Sequence, residues 1–164
     1  MEYIYIGDLV NTHGLKGEVR ILSDFEYKEL VFKHAFKLYL GRKKEELIIN
    51  TYRPHKTYDM VTFDGITDIN DVLGYKGERV YVKRSDLVID GYLNQDLIGL
   101  NVYGTNRLIG PVKQIVKSKA HDILLIDGGT KNYMVPYIDE FIKKVDIENK
   151  RIDVNEIEGL FDAN

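Results

Sequence analysis

Cysteine and tryptophan are absent from this 164-residue chain, and proline occurs only three times. Without cysteine there can be no disulfide framework, thiolate metal site or thiol nucleophile, a lack compatible with a reducing compartment. No apolar run reaches the length of a membrane span, and the opening MEYIYIGDLV carries an acid where a secretory signal has a basic region. A cytoplasmic protein without membrane contact is therefore expected. An excess of positive charge is also missing: the net charge is −3. That excludes a protein coating nucleic acid through bulk cationic charge, so any RNA contact has to be local. The four histidines show no metal-ligand spacing, and G-x-S-x-G, P-loop and G-x-G-x-x-G motifs are all absent. His121-Asp122 reads as a strand entry, because a base and its orienting carboxylate need geometry that adjacency does not supply. The expectation is a chain that is not an enzyme, with no catalytic residue, metal or cofactor.

What the chain does have is 44% hydrophobic residues, including 12 Tyr and 6 Phe, enough for real cores. These residues fall in short runs rich in β-branched and aromatic side chains, several alternating with period two. In the first half the predicted strands are Tyr3 to Val10, Glu18 to Leu22, Phe36 to Leu40, Leu47 to Tyr52, Met60 to Phe63 and Arg79 to Val82. Six strands suffice to close a small barrel. A short helix is predicted from a Thr67 or Asp68 cap through Leu73, with Gly74 as its C-terminal left-handed residue. Phe25 to Ala35 fits a frayed helix or an ordered loop. A second series follows: Leu97 to Tyr103, Leu108 to Val116, Asp122 to Asp127, Asn132 to Val135, Phe141 to Val145 and Arg151 to Val154. Its connections, Gly104 to Arg107, Gly128-Gly129 and Glu148 to Lys150, hold Gly and Asn residues that tolerate positive φ. Pro111 implies an edge strand or a bulge. The expected fold class is all-β: two small barrels in tandem with a few short helices. The expected domains are residues 1–86 and 96–164, with a linker at 87–95.

Up to residue 89 the chain carries 14 basic and 14 acidic residues, and beyond it 9 basic and 12 acidic, so the two halves suit different partners. The most informative loop is Asn11-Thr12-His13-Gly14-Leu15-Lys16-Gly17-Glu18. Glycines let backbone N–H groups approach a phosphate, and Lys16 adds charge, although the same pattern also suits a tight strand connection. Arg53, His55 and Lys56 form a second basic cluster. Held beside the first, they would make a positive face, so the candidate RNA-binding residues are His13, Gly14, Lys16, Gly17, Arg20, Arg53 and Lys56. Arg42, Lys43 and Lys44, followed by Glu45 and Glu46, read as a solvated hairpin tip. At the junction, Tyr92, Leu93 and Asp96 are the candidate protein-binding residues: a tyrosine offers large contact area at low entropy cost, although packing between domains uses it too.

Taken in order, these segments resemble the RimM family of 16S rRNA processing proteins. The resemblance rests on Ile6 to Val19 with its T-H-G-L-K-G-E-V, on Tyr52-Arg53-Pro54-His55-Lys56, Phe63 to Asp68, Tyr75-Lys76-Gly77 and Val80-Tyr81-Val82. It continues through Asp96 to Leu100, Gly110 with Val112, His121 to Leu124, Met134 to Tyr137, Phe141-Ile142, Val145-Asp146 and Glu158-Gly159-Leu160. It implies an N-terminal barrel similar to those of translation factors, then a PRC barrel. It further implies a monomeric, non-catalytic assembly factor that binds the immature small ribosomal subunit (30S) and assists 16S rRNA processing and maturation of the head. Implied partners are 16S rRNA and a basic head protein, ribosomal protein S19, contacted by the C-terminal half and linker. One departure stands out: the family often carries two adjacent tyrosines where this chain has Tyr92 and Leu93. Two rival readings remain, a pure protein adaptor without RNA contact and a split-barrel enzyme binding a flavin or other small ligand.

Overall fold

The computed structural model describes residues 2–157 and 159–161; Met1, Glu158 of the last resembling segment and residues 162–164 fall outside them. The chain divides into two units, Met1–Ile89 and Asp90–Asn164.

In the first unit, β1 (Tyr3–His13), β2 (Glu18–Leu22), β3 (Lys37–Leu40), β4 (Glu45–His55), β5 (Tyr58–Phe63) and β6 (Arg79–Lys83) close a barrel in the order β1-β2-β5-β4-β3-β6. Closure leaves no sheet edge. Alternation decides which side chains fill it: Ile4, Ile6, Leu9, Val19, Ile21, Val61, Phe63, Val80 and Val82 are buried, while the residues between them mostly face outwards. β4 runs three residues further than its apolar stretch, to His55, because Arg53, Pro54 and His55 remain paired with Met60, Asp59 and Tyr58.

The open segment from Phe25 to Ala35 contains one helical turn, α1 (Lys28–Val31), with Val31 and Phe32 buried. Asp68 does act as a cap, accepting a hydrogen bond from the Asn70 backbone N–H at 2.8 Å. The expected helix, however, is two 3₁₀ turns, Ile69–Asp71 and Leu73–Tyr75. Gly74 lies within the second, and the left-handed conformation falls to Gly77 (φ 87°), whose N–H donates to the Leu9 carbonyl at 2.7 Å.

In the second unit, β7 (Asn101–Gly104), β8 (Arg107–Val116), β9 (Ile123–Asp127), β10 (Asn132–Pro136), β11 (Ile142–Asp146) and β12 (Arg151–Val154) form a six-stranded sheet in the order β10-β9-β8-β7-β12-β11. β12 pairs parallel with β7, and the other ladders are antiparallel. The sheet wraps one core, in which Val102, Val112, Leu124, Ile126, Val135 and Ile152 are buried and Ile142 and Val145 of β11 pack against them.

Two expectations for this half need correction, and the structure decides between the alternatives left open at Pro111. The strand predicted from Leu97 begins at Asn101, because Asn94–Leu97 is a helical turn, α2, and Gly99 (φ 91°) reverses the chain after it. Pro111 is not on an edge strand, since β8 is paired on both sides; it sits opposite Asn101, among register shifts at Val102/Tyr103 and Val112/Gln114, which is the bulge alternative. In the β11–β12 turn the positive φ falls on Lys150 rather than Asn149, whose backbone and side-chain amides both donate to the Asp146 carboxylate. Among the described residues, no helix is long and apolar enough to cross a membrane.

Candidate nucleic-acid and partner surfaces

The β1–β2 hairpin carries the first candidate set. Gly14 and Gly17 take φ of 75° and 92°, and Gly17 packs so closely that an added Cβ would stand 3.1 Å from Ile66 Cγ2. The turn is anchored from outside by the Ile69 N–H, which donates to the Leu15 carbonyl at 2.9 Å. Lys16 projects into solvent from this turn, and Lys56 (φ 57°) does so from the β4–β5 turn.

Between the two turns, the outer barrel surface across β1, β2, β5 and β4 brings His13, Arg20 and Arg53 together. Arg20 Nη2 and His13 Nδ1 lie 2.8 Å apart, the guanidinium stands 5.6 Å from the Tyr58 ring centroid, and the His13 and His55 rings are 6.1 Å apart. Arg20 Nε is buried without a hydrogen-bond partner. At the centre is a residue that the motif reading passed over. Glu18 accepts hydrogen bonds from Arg53 Nε and Nη2 at 2.9 and 2.8 Å, a bidentate pair. The Arg53 bonds are the chief reason that the Glu18 carboxyl is held below its ordinary pKa, and the same contact raises Arg53. The face is therefore less positive than a count of its basic residues suggests. Arg53 is committed to Glu18, whereas Lys16 and Lys56 are exposed cations with no ion pair among the described residues. The signal for Glu18 was there in principle: in a strand, residues two apart share a face, so Glu18 had to lie beside Arg20.

The junction residues separate by burial. Tyr92 is 37% exposed. It borders a hollow of about 240 Å³ lined by Tyr137, Ile138, Ile142 and Val145, with Asp139, Lys143 and Lys144 around it. Leu93 is only 1% exposed, so its side chain offers a partner nothing, and its role as a contact is withdrawn. The Asp96 carboxylate accepts the Leu93 backbone N–H at 3.0 Å and so fixes the start of α2 rather than of a strand. Among the described residues no group of His, Asp and Glu side chains is arranged to hold a metal ion. His121 directs Nδ1 at the backbone carbonyl of Asp122, 3.1 Å away, and not at its carboxylate.

Comparison with known proteins now bears on this geometry. Residues 4–87 match the RimM N-terminal domain and residues 94–160 the RimM PRC barrel domain. The ribosome maturation factor RimM of Streptococcus mutans is 40% identical over 172 residues, covering 100% of both chains. That of Staphylococcus haemolyticus is 37% identical over 166 residues, covering 97% of this chain and 99% of its own. The chain belongs to the RimM family. The solution structure of the RimM N-terminal domain from Thermus thermophilus is 24% identical and covers 54% of this chain and 98% of that one, with a TM-score of 0.46. The face holding His13, Glu18, Arg20 and Arg53 lies in the RimM N-terminal match. Tyr92 and Leu93 fall between the two RimM matches, and Asp96 lies inside the PRC match.

Proposed function

We propose that this chain is a ribosome maturation factor that binds the immature small subunit, assists 16S rRNA processing and head maturation, and catalyses no reaction. The observation that carries the reading is the tandem match to both RimM domains, with relatives of that name aligned along the whole chain. The surfaces support a division of labour. Lys16 and Lys56, with the glycine turn between His13 and Glu18, suit the rRNA backbone. The second half, with 12 acidic against 9 basic residues, suits a basic head protein such as S19, with Tyr92 at its hollow as the anchor. A factor that binds the maturing conformation better than its competitors shifts the population towards it, with no covalent step needed.

Lys16 and Lys56 are the residues to change, because each is an exposed cation, whereas Arg53 has the Glu18 carboxylate beside it. The double variant Lys16→Ala, Lys56→Ala should bind immature small subunits more weakly, with the slope of log affinity against log salt reduced by about one per lost phosphate contact. Binding isotherms over a salt series measure it. The Glu18 carboxylate beside Arg53 favours one rival, a protein adaptor that never touches RNA, and an unchanged slope would remove the loop face from RNA contact.

A further inference from the structure

The side of the barrel opposite the His13 face carries a second, differently built surface. β6 lies between β3 and β1, half-way round the ring from β5. Alternation turns Tyr3 and Tyr5 of β1 and Arg79, Tyr81 and Lys83 of β6 outwards, because Ile4, Ile6, Val80 and Val82 point into the core; Tyr39 of β3, only 3% exposed, is covered and forms the closed end of the row. The registers align Tyr5 with Tyr81 and Tyr81 with Tyr39, so three tyrosines form a row across three strands. Their rings touch through neighbours: Tyr3 to Tyr39 at 5.3 Å, Tyr3 to Tyr81 at 6.5 Å and Tyr5 to Tyr81 at 5.9 Å between centroids. Cations are laid over them. Lys44 lies 4.2 Å from the Tyr81 centroid, Lys83 4.9 Å from that of Tyr39 and Arg79 5.1 Å from that of Tyr5. Lys44, which reads from sequence as part of a solvated tip, in fact folds back onto this row.

We infer that this tyrosine and cation face is a stacking platform for unpaired bases of single-stranded RNA. Aromatic rings on a sheet surface stack any base through its π-face, and a guanidinium plane does the same, while neighbouring ammonium groups meet the phosphates. Tyr5 is 46% exposed beneath the exposed Arg79, so the Tyr5–Arg79 pair is the open end of the stack. Of the carboxylates nearby, which include Asp24, Glu78 and Asp86, two take a phenol hydroxyl: Asp8 accepts from Tyr5 at 2.7 Å and Glu46 from Tyr39 at 3.3 Å. They fix the orientation of the rings, and because Arg79 already lies over Tyr5, an incoming base meets the outer plane of its guanidinium or the uncovered part of the Tyr5 ring. Beside Tyr81 and Arg79 opens a hollow of about 340 Å³ bordered by Gly41, Arg42, Gly77 and Glu78, with room for a flat group next to the row. The net charge of −3 is consistent with this mode, since stacking supplies affinity where bulk cationic charge is missing.

The inference rests on the reading that the chain works on 16S rRNA, and it is tested separately from the loop face. A fluorescein-labelled single-stranded oligouridine is titrated with the full chain and followed by anisotropy over a salt series. Tyr5→Ala should weaken binding about tenfold with the salt slope unchanged, because a stacked ring and not a phosphate contact is lost. Tyr5→Phe keeps the ring and should bind as the natural chain does. Arg79→Ala should weaken binding as well. Equal affinity in Tyr5→Ala, or no binding of oligouridine by the natural chain, would overturn the platform. If Tyr5→Ala weakens oligouridine binding while Lys16→Ala, Lys56→Ala keeps its salt slope on the small subunit, the loop face fails and the platform stands.

Discussion

Replacing Gly110 by alanine is expected to unfold the second unit. Gly110 has φ 152°, and a Cβ built on it would stand 1.8 Å from the backbone oxygen of Asp127 and 2.9 Å from its carbonyl carbon. The obstacle is main chain from the neighbouring strand β9, so no side-chain rotation relieves it. β8 would have to part from β9, and β8 is paired on both sides, with Val112 and Ile115 in the core. Steric conflicts with backbone in a special conformation are among the few single changes that cost about 4 kcal/mol or more. A domain is stabilised by only about 0.1 kcal/mol per residue, so the unit from Asp90 onwards would lose most of its stability. Urea unfolding checks this, and a midpoint close to that of the natural chain would contradict the strand geometry.

The second large effect is expected at Asp59, which is 4% exposed. Its Oδ1 accepts the Tyr52 hydroxyl at 2.8 Å, and Lys28 Nζ stands 2.8 Å from Oδ2. This group ties β5 to β4 and to α1. Asp59→Ala strips the partner from both. A fully buried pair broken on one side costs ~3–5 kcal/mol, but the Lys28 side chain is 36% exposed and rehydrates, so the loss should be about 2 kcal/mol. The variant also has a pH signature. Burial first, and the Asp59 hydrogen bond second, push the Tyr52 phenol from an ordinary 10.0 up to about 12. A raised folded pKa means that the neutral phenol is favoured by folding; this contribution is complete below pH 10 and is lost as pH rises through about 12. Asp59→Ala removes the second cause and leaves the first, so Tyr52 should ionise between the two values. Ultraviolet phenolate titration reads this. The Tyr75 phenol, also pushed to about 12 by burial and by Glu45, should remain late in both proteins and serves as the internal reference.

Much of this molecule is legible from residue order. Glu18–Leu22 could be placed because Val19 and Ile21 alternate with Glu18 and Arg20, and the barrel core uses that same alternation. Local chemistry also marks Asp68 as a cap and Gly104 to Arg107 as a hairpin. What one segment cannot reveal is its neighbour in register. Arg53 looks like a free cation until β2, β5 and β4 align and bring in Glu18, 35 residues away. The row Tyr5–Tyr81–Tyr39 is hidden for the same reason, since its members come from strands far apart in the chain. Leu93 looks like one half of an anchor pair, and only packing shows it buried. The first strand of the second unit reads as starting too early because Leu97 and Leu100 are apolar in a helical turn and its exit as readily as in a strand. Binding residues on a barrel surface depend on such cross-strand neighbours, whereas the strands themselves depend on period two alone.

The most direct measurement is sedimentation of cell extract through a sucrose gradient, with this chain followed by immunoblot. A non-catalytic factor gripping immature small subunits should co-migrate with free small subunits and be absent from translating ribosomes. A chain found only at the top of the gradient, with no small subunit bound, would contradict it.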